Sequence, residues 1–383
     1  MAIVYSYPKV APALDDLVVG SLMGKDGHPT KSFSIRDIIK LVDVSAVTLQ
    51  QVLDNNHELV EGNNFQGTDA GIENTGSNVN AFGTGSAKNN AGSNVNTFGS
   101  EATRDNTGDN INAFGEKSSD QNTGSNVNSL GRYSANTNIG DNVNAFGYEA
   151  ALSNGGTSVN ALGNKAAGSN SGNTVNAFGA NAALNNTGSR VNAIGEEAAS
   201  GNTGESVNAF GSTAANNNIG TNINAFGDTS ANNNQGNRVN AFGYKAADGN
   251  TGEHVNALGN IAAADNTGSS VNAFGPTAAN TNTGDNINAL GGNAAQNNTG
   301  ANVNAFGVFS AQGNAGDNIN AFGNSAGAGN GISGATIFSN DTMPSYLDYA
   351  AASTAITIAN GGSANCTYLY HDQTTNSIGA VRL

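Results

Sequence analysis

From Asn74 to Gly329 apolar and polar positions recur every sixteen residues, through sixteen consecutive units with no insertion or deletion. Each unit reads N-x-G-x-x-[VI]-N-A-F-G-x-x-[AS]-A-x-x, and its positions are numbered 1 to 16 from the leading Asn. Position 9 is always large and apolar, running from Phe82, Phe98, Phe114 and Leu130 to Phe322. Position 6 is always Val or Ile, position 7 always Asn and position 10 always Gly. A fixed period of this length marks a repeat architecture in which each unit buries its apolar face only against its neighbours.

The spacing predicts short strands. Helices are excluded, because glycine and asparagine recur too often for a helical interior and the apolar positions lack a 3.6-residue period. One unit per turn gives a parallel β-solenoid whose coils rise about 4.8 Å each, so that sixteen form a shaft of roughly 75 Å. Stacked coils place identical side chains over one another, which allows asparagine ladders and stacks of phenylalanine. Asn-x-Gly, as in Asn90 and Gly92, is expected to supply the corners, since both residue types tolerate left-handed backbone.

In an extended VNAFG segment Val and Ala share one side, Asn and Phe the other, and neither side carries charge. Either one side points into the coil and the other into a neighbouring chain, as in a three-fold bundle, or a bend at Asn turns both Val and Phe inward. Phe178→Asp is expected to bury an unpaired charge in one coil and to lower the unfolding temperature, whereas Glu196→Gln, at an exposed position, should leave it nearly unchanged. All 24 Asp, Glu, Lys and Arg residues of the repeat fall in the dipeptides at positions 4–5, 11–12 and 15–16. Three exposed dipeptides alternating with three uncharged segments imply a three-cornered coil.

Composition narrows the function classes. Among 383 residues there are 52 glycines, no tryptophan and only 11% charged residues, which argues against one thick core. A net charge of −15 lacks the clustered Lys and Arg that a nucleic-acid or anionic-membrane partner needs. One cysteine, Cys366, excludes an internal disulfide framework. MAIVYSYPKVAPALDD has no basic stretch before an apolar run, so no secretory signal is expected, and no stretch is long and apolar enough to be inserted in a membrane.

The flanking regions differ from the shaft. Residues 1–73 hold half of the lysines and read as a small α+β anchor or cap, with VYSY, LVVGSLMG and KSFSI as strands and RDIIKLV as a short helix. Residues 74–329 are the shaft. Residues 330–383 begin where Ile332 stands in place of a repeat glycine and form a cap or tip, with SYLDYAAAS as a short helix, AITIA as a strand and TYLYHDQTTNSIGAVRL as a hairpin. Tyr346, Tyr349, Tyr368 and Tyr370 gather in this last region and are the candidate host-contact residues, tyrosine being enriched at recognition surfaces.

Chemistry-bearing constellations are sparse. His28, His57, His254 and His371 lie in different regions without metal-ligand spacing, and neither a GxSxG elbow nor a Walker loop occurs. Gly329, Gly331 and Gly334 satisfy GxGxxG but do not follow a strand that opens a helix. Glu101, Glu116 and Glu149 share one exposed corner and are the candidates for a glycosidase pair. The expectation is a protein that is not an enzyme and uses no cofactor or metal.

VNAFGxxAA in tandem is similar to the head repeats of trimeric autotransporter adhesins. DLVVGSLMGKDGHPTKSFSIRDIIKLV followed by TLQQVLDNN resembles the N-terminal portion of phage virion fibre and tail-fibre-like proteins, and TYLYHDQTTNSIGAVRL resembles their C-terminal strands. The resemblance implies a homotrimeric fibre, on the tail or the head of a virion. Its N-terminal region would be anchored to other virion proteins and its distal parts would meet a host glycan or protein. A virion protein is assembled in the host cytoplasm, which agrees with the expected lack of a secretory signal; a bacterial surface adhesin or a polysaccharide-cleaving tailspike are the alternatives.

Overall fold

The computed structural model describes residues 62–337 in full and, as backbone only, the strands at 17–21, 30–34, 367–372 and 377–382. The chain divides into two units, Met1–Leu59 and Val60–Leu383. In the first, β1 (Leu17–Ser21) pairs antiparallel with β2 (Thr30–Ser34), two of the strands expected there. The expected VYSY strand and RDIIKLV helix lie outside the described residues, as do SYLDYAAAS and AITIA.

The second unit contains the solenoid. After a short β3 (Asn64–Gln66), sixteen four-residue strands run from β4 (Val79–Phe82) to β19 (Ile319–Phe322), and β20 (Thr336–Ile337) ends the stack. Each strand pairs in parallel with the equivalent strand one period away, Val on Val and Asn on Asn, as in Val175↔Val191 and Asn176↔Asn192. β3 pairs with β4 and β20 with β19, so among the described strands the stack is an open ladder with two ends. Beyond it, β21 (Thr367–Asp372) and β22 (Ser377–Arg382) form the expected antiparallel hairpin.

Alternation within the strand decides which side is core. Val191 and Ala193 are fully buried, while Asn192 is half-buried and Ile194 exposed, and the same order holds from coil to coil. Val and Phe therefore do not share one interior. The core is thin, built from the Val and Ala of the strand together with the Ala pair at positions 13 and 14, such as Ala198 and Ala199. Both residues of that pair are small because they lie across a narrow coil from the strand.

The corners are made differently from expectation. In the coil from Asn186 to Gly201, left-handed φ values fall on Arg190 (58°), Gly195 (135°), Glu197 (56°), Ala199 (51°) and Gly201 (65°), and not on Asn186 or Gly188. Three successive turns follow the strand, closed by Ala198 N–H to Gly195 C=O, Ser200 N–H to Glu197 C=O and Asn202 N–H to Ala199 C=O. Each has its left-handed residue third, as a type II turn requires. The left-handed N–H groups then bond alternately to the two neighbouring coils, Glu197 to Ala180 and Ala199 to Ala214, both at 2.8 Å. These intercoil bonds offset the strain that a non-glycine residue meets at positive φ.

Glycine in Asn-x-Gly serves space instead. A Cβ on Gly188 would lie 1.9 Å from the carbonyl oxygen of Gly204, in the next coil. Ile332 occupies this position in the last coil, whose stack carries no further coil over it among the described residues, so a side chain fits there. Gly195 has both reasons to be glycine, a φ of 135° and a would-be Cβ 2.3 Å from Gly211 O.

Two asparagine ladders run the length of the shaft in opposite senses. Buried position-1 amides donate towards the N-terminus, as Asn202 Nδ2 to Asn186 Oδ1 (2.8 Å), and also hold the carbonyl of the glycine two residues on (2.8 Å). Position-7 amides donate towards the C-terminus, as Asn192 Nδ2 to Asn208 Oδ1 (2.8 Å). The buried amides are thus satisfied by their own repeats, as burial demands.

Both ends of the stack are plugged by one substitution pattern. Phe65 and Ile337 fill the strand position that holds Ala in most coils, and both are buried. Beside them position 14 becomes glycine, Gly71 and Gly327, where a Cβ would meet the Phe65 ring at 2.5 Å and Ile337 Cδ1 at 2.9 Å.

Candidate interaction face

The outward side of β4 to β19 carries the position-9 row, flanked by the position-7 amide ladder. Its rings stack along the shaft axis, with Phe82 and Phe98 4.8 Å apart and inclined by 3°, and Phe210 and Phe226 4.7 Å apart and inclined by 3°. Because the planes lie one above another, ring edges and not ring faces point outward. A sugar ring stacks on an aromatic face, so this row is not a carbohydrate platform of the kind that broad aromatic faces make.

The row stays apolar and partly open throughout, with Phe178 37% exposed and Leu130 52% exposed. Inside one chain a charge at residue 178 would therefore point outward, which corrects the expectation that Phe178→Asp buries one. Where Leu130 interrupts the rings, a notch of about 400 Å³ opens between Phe114 and Phe146, floored by Ser129 and edged by Asn112 and Asn128.

Charges border this face without entering it. At the position-11 edge Arg132 pairs with Glu116 (3.1 Å), an attraction that raises the guanidinium pKa further, and its guanidinium lies over the Tyr133 ring at 4.8 Å. Tyr148 stands edge-on to Tyr133 at 6.3 Å, and its hydrogen bond with Glu149 raises its phenol pKa.

The candidate glycosidase carboxylates are each in an ion pair. Glu101 meets Arg104 (2.9 Å) and Lys117 (3.5 Å), Glu116 meets Arg132, and Glu149 meets Lys165 (3.6 Å). His254 is exposed and sits beside Arg238. Among the described residues no group of His, Cys, Asp and Glu is placed to hold a metal ion, and no helix is long and apolar enough to cross a membrane. Tyr346 and Tyr349 lie outside the described residues; Tyr368 and Tyr370 lie on β21, opposite Val381 and Gly379.

One buried ionic site was not foreseen from the sequence. Asp120 is 3% exposed and receives a two-pronged hydrogen bond from Arg104 at 3.1 and 2.9 Å. Its pKa is nevertheless raised, because loss of water around the carboxylate outweighs the pairing. The signal was legible as Arg104 and Asp120 at position 15 of adjacent coils, sixteen residues apart.

No protein-family description, curated protein or solved structure matches this chain.

Proposed function

We propose that the chain is the shaft of a homotrimeric virion fibre, on the tail or on the head, that contacts the host surface. The carrying observation is the unbroken apolar row over all sixteen coils, a surface larger and more continuous than single soluble chains ordinarily leave in water. A long, stiff, self-stacking rod with one uncharged side suits a structural spacer. The segments at both ends resemble those of phage fibres, which favours the virion over the bacterial surface. On this reading the N-terminal region holds other virion proteins, the tyrosine-rich C-terminal region meets a host glycan or protein, and the shaft is not catalytic.

Light scattering in native buffer tests the assembly. A trimer mass is expected for the natural chain and a monomer mass for Phe178→Asp, whose coils still form; a monomeric natural chain removes the proposal. Gold-tagged antibody against the C-terminal region, viewed by electron microscopy of particles from a producing lysate, tests the location. Label on tails or capsids supports a fibre, and label on cells alone supports an adhesin. New reducing ends after incubation with host glycan would support a tailspike.

A further inference from the structure

Positions 11 and 12, the flank that follows the strand, change character towards the C-terminal end of the stack. In the first eleven coils they carry ten charged residues, among them Glu101, Lys117, Arg132 and Lys245. From Asn260 to Ser325 they carry none. Apolar residues stand there instead: Val308 is 45% and Phe309 39% exposed, Pro276 is exposed two coils earlier, and Ile261 is half-buried. Between Pro276 and Val308 lies Gly292, where nothing local demands glycine. Its φ is not left-handed, and a Cβ would come no nearer than 3.9 Å, to Pro276 O. The missing side chain leaves an apolar dip, as glycine does where another backbone approaches closely. Ile261 and Phe309 are costly within the coil, a branched and an aromatic residue at φ of 59° and 57°, which points to a role outside it.

We infer that this flank of the last five coils is the seat of the chain's own C-terminal hairpin, β21 and β22, docked by the face that holds Leu369, Ala380 and Ile378. The inference is independent of the oligomeric state proposed above.

The hairpin needs a seat and the flank is within its reach. Two strands alone are marginally stable in water and require an apolar surface to pack on. The cross-strand pairs Leu369↔Ala380 and His371↔Ile378 share one face, and Tyr368↔Val381 and Tyr370↔Gly379 share the other. β20 ends at Ile337, two coils or about 10 Å along the stack from Val308, and the sequence puts Phe338 at position 9, next to the flank. The 29 residues from 338 to 366 that lead to β21 span at most about 95 Å, far more than the distance to be covered. Tethering so close to the flank gives the chain's own hairpin an advantage over a free partner. Docking by the Leu369 face leaves the face with Tyr368 and Tyr370 open, as contact with a host surface requires.

The test uses the full chain with Cys366→Ser and Ala380→Cys, carrying either Val308→Cys or Tyr148→Cys, and a short bismaleimide cross-linker. Tyr148 holds the same position 11 ten coils, about 48 Å, away. Bridging within one chain, read by mass spectrometry, is expected to be about tenfold or more faster at residue 308 than at residue 148. Adding Gly292→Leu, which fills the dip, should abolish that difference while the shaft melts as before. Equal bridging at both sites, or bridging that Gly292→Leu leaves unchanged in an intact shaft, overturns the proposal. So do products between two chains: from Ala380→Cys alone they mean that hairpins cover one another, and between residues 308 and 380 that the flank seats a neighbour's hairpin. A monomer by light scattering removes the trimer proposed above and leaves this inference standing.

Discussion

The first four coils and the remaining twelve share one backbone but not one core. Between Ser86 and Ser134 the interior holds seven hydroxyl groups, on Ser86, Thr97, Thr103, Ser118, Ser119, Ser129 and Ser134, all buried. From Ala135 onward the same positions are almost entirely alanine, and the two buried serines there, Ser230 and Ser310, bond to the carbonyls of Gly227 and Gly307. In the early coils five of the seven hydroxyls meet one another instead: Ser129 meets Ser118 and Ser119 at 2.7 Å each, and Ser86 meets Thr97 at 3.2 Å, while Ser134 donates to the carbonyl of Ala145. The strand register is the same in both regions, Ile111↔Val127 as Val175↔Val191. Core chemistry is thus interchangeable where shape is kept, and what fixes the coil is its backbone stacking.

The sharpest way to break that equivalence is to attack the stacking itself. Gly179→Ala puts a Cβ 2.4 Å from Gly195 O at a φ of 140°, combining backbone strain with a clash against main chain that cannot rotate away. The expected loss is about 3 kcal/mol or more, read as a lowered denaturant midpoint. The equivalent change at Gly131, beside the hydroxyl core, should lose as much, since Gly147 O lies 2.3 Å from its would-be Cβ. Unequal losses would mean that the core, and not the stack, sets coil stability.

A smaller change separates the two cores. Thr103 Oγ1 is the buried side-chain polar atom without a hydrogen-bond partner among the described residues, and Thr103 also holds a φ of 57° with a branched Cβ. Thr103→Ala restores the alanine that most coils carry there, as Ala135 does at a φ of 50°. A gain of about 1 kcal/mol is expected, because desolvating the lone hydroxyl costs more than the packing of the threonine methyl contributes. A fall in stability would show that the hydroxyl has a partner such as an internal water.

Much of this architecture was legible because a sixteen-residue period with charge confined to three dipeptides admits few folds. The parallel stack, the amide ladders and the C-terminal hairpin follow from periodicity and alternation. The corner assignment was not legible, because strain at Glu197 and Ala199 is offset by bonds to neighbouring coils, and such bonds leave no residue-type signature. Nor could residues alone decide whether Phe178 faces in or out: both sides of VNAFG are uncharged, and only the width of the coil, filled already by Val and the Ala pair, excludes a second large row from the interior. The candidate tyrosines gave no geometry to weigh beyond the pairing of β21 with β22.

The finest distinction between the two regions is electrostatic. Asp120 lies in the early region, with its carboxylate pKa raised above the ordinary value by burial despite Arg104. A raised acid pKa in the folded chain means that this group contributes stability below its unfolded pKa and loses it as pH rises through the folded value. Asp248, in the later region, is shifted the same way by burial, though its hydrogen bond from Asn232 (3.1 Å) opposes the shift. Acidification from neutral pH towards the ordinary carboxylate range, about 4, should therefore raise, not lower, the melting temperature, helped by relief of the repulsion within a chain of net charge −15. Asp120→Asn should flatten that rise by removing its own part, and adding Asp248→Asn should flatten it further. If the Asp120→Asn chain instead gains more from acidification than the natural chain does, the pairing with Arg104 outweighs burial, and the carboxylate is held charged by its partner.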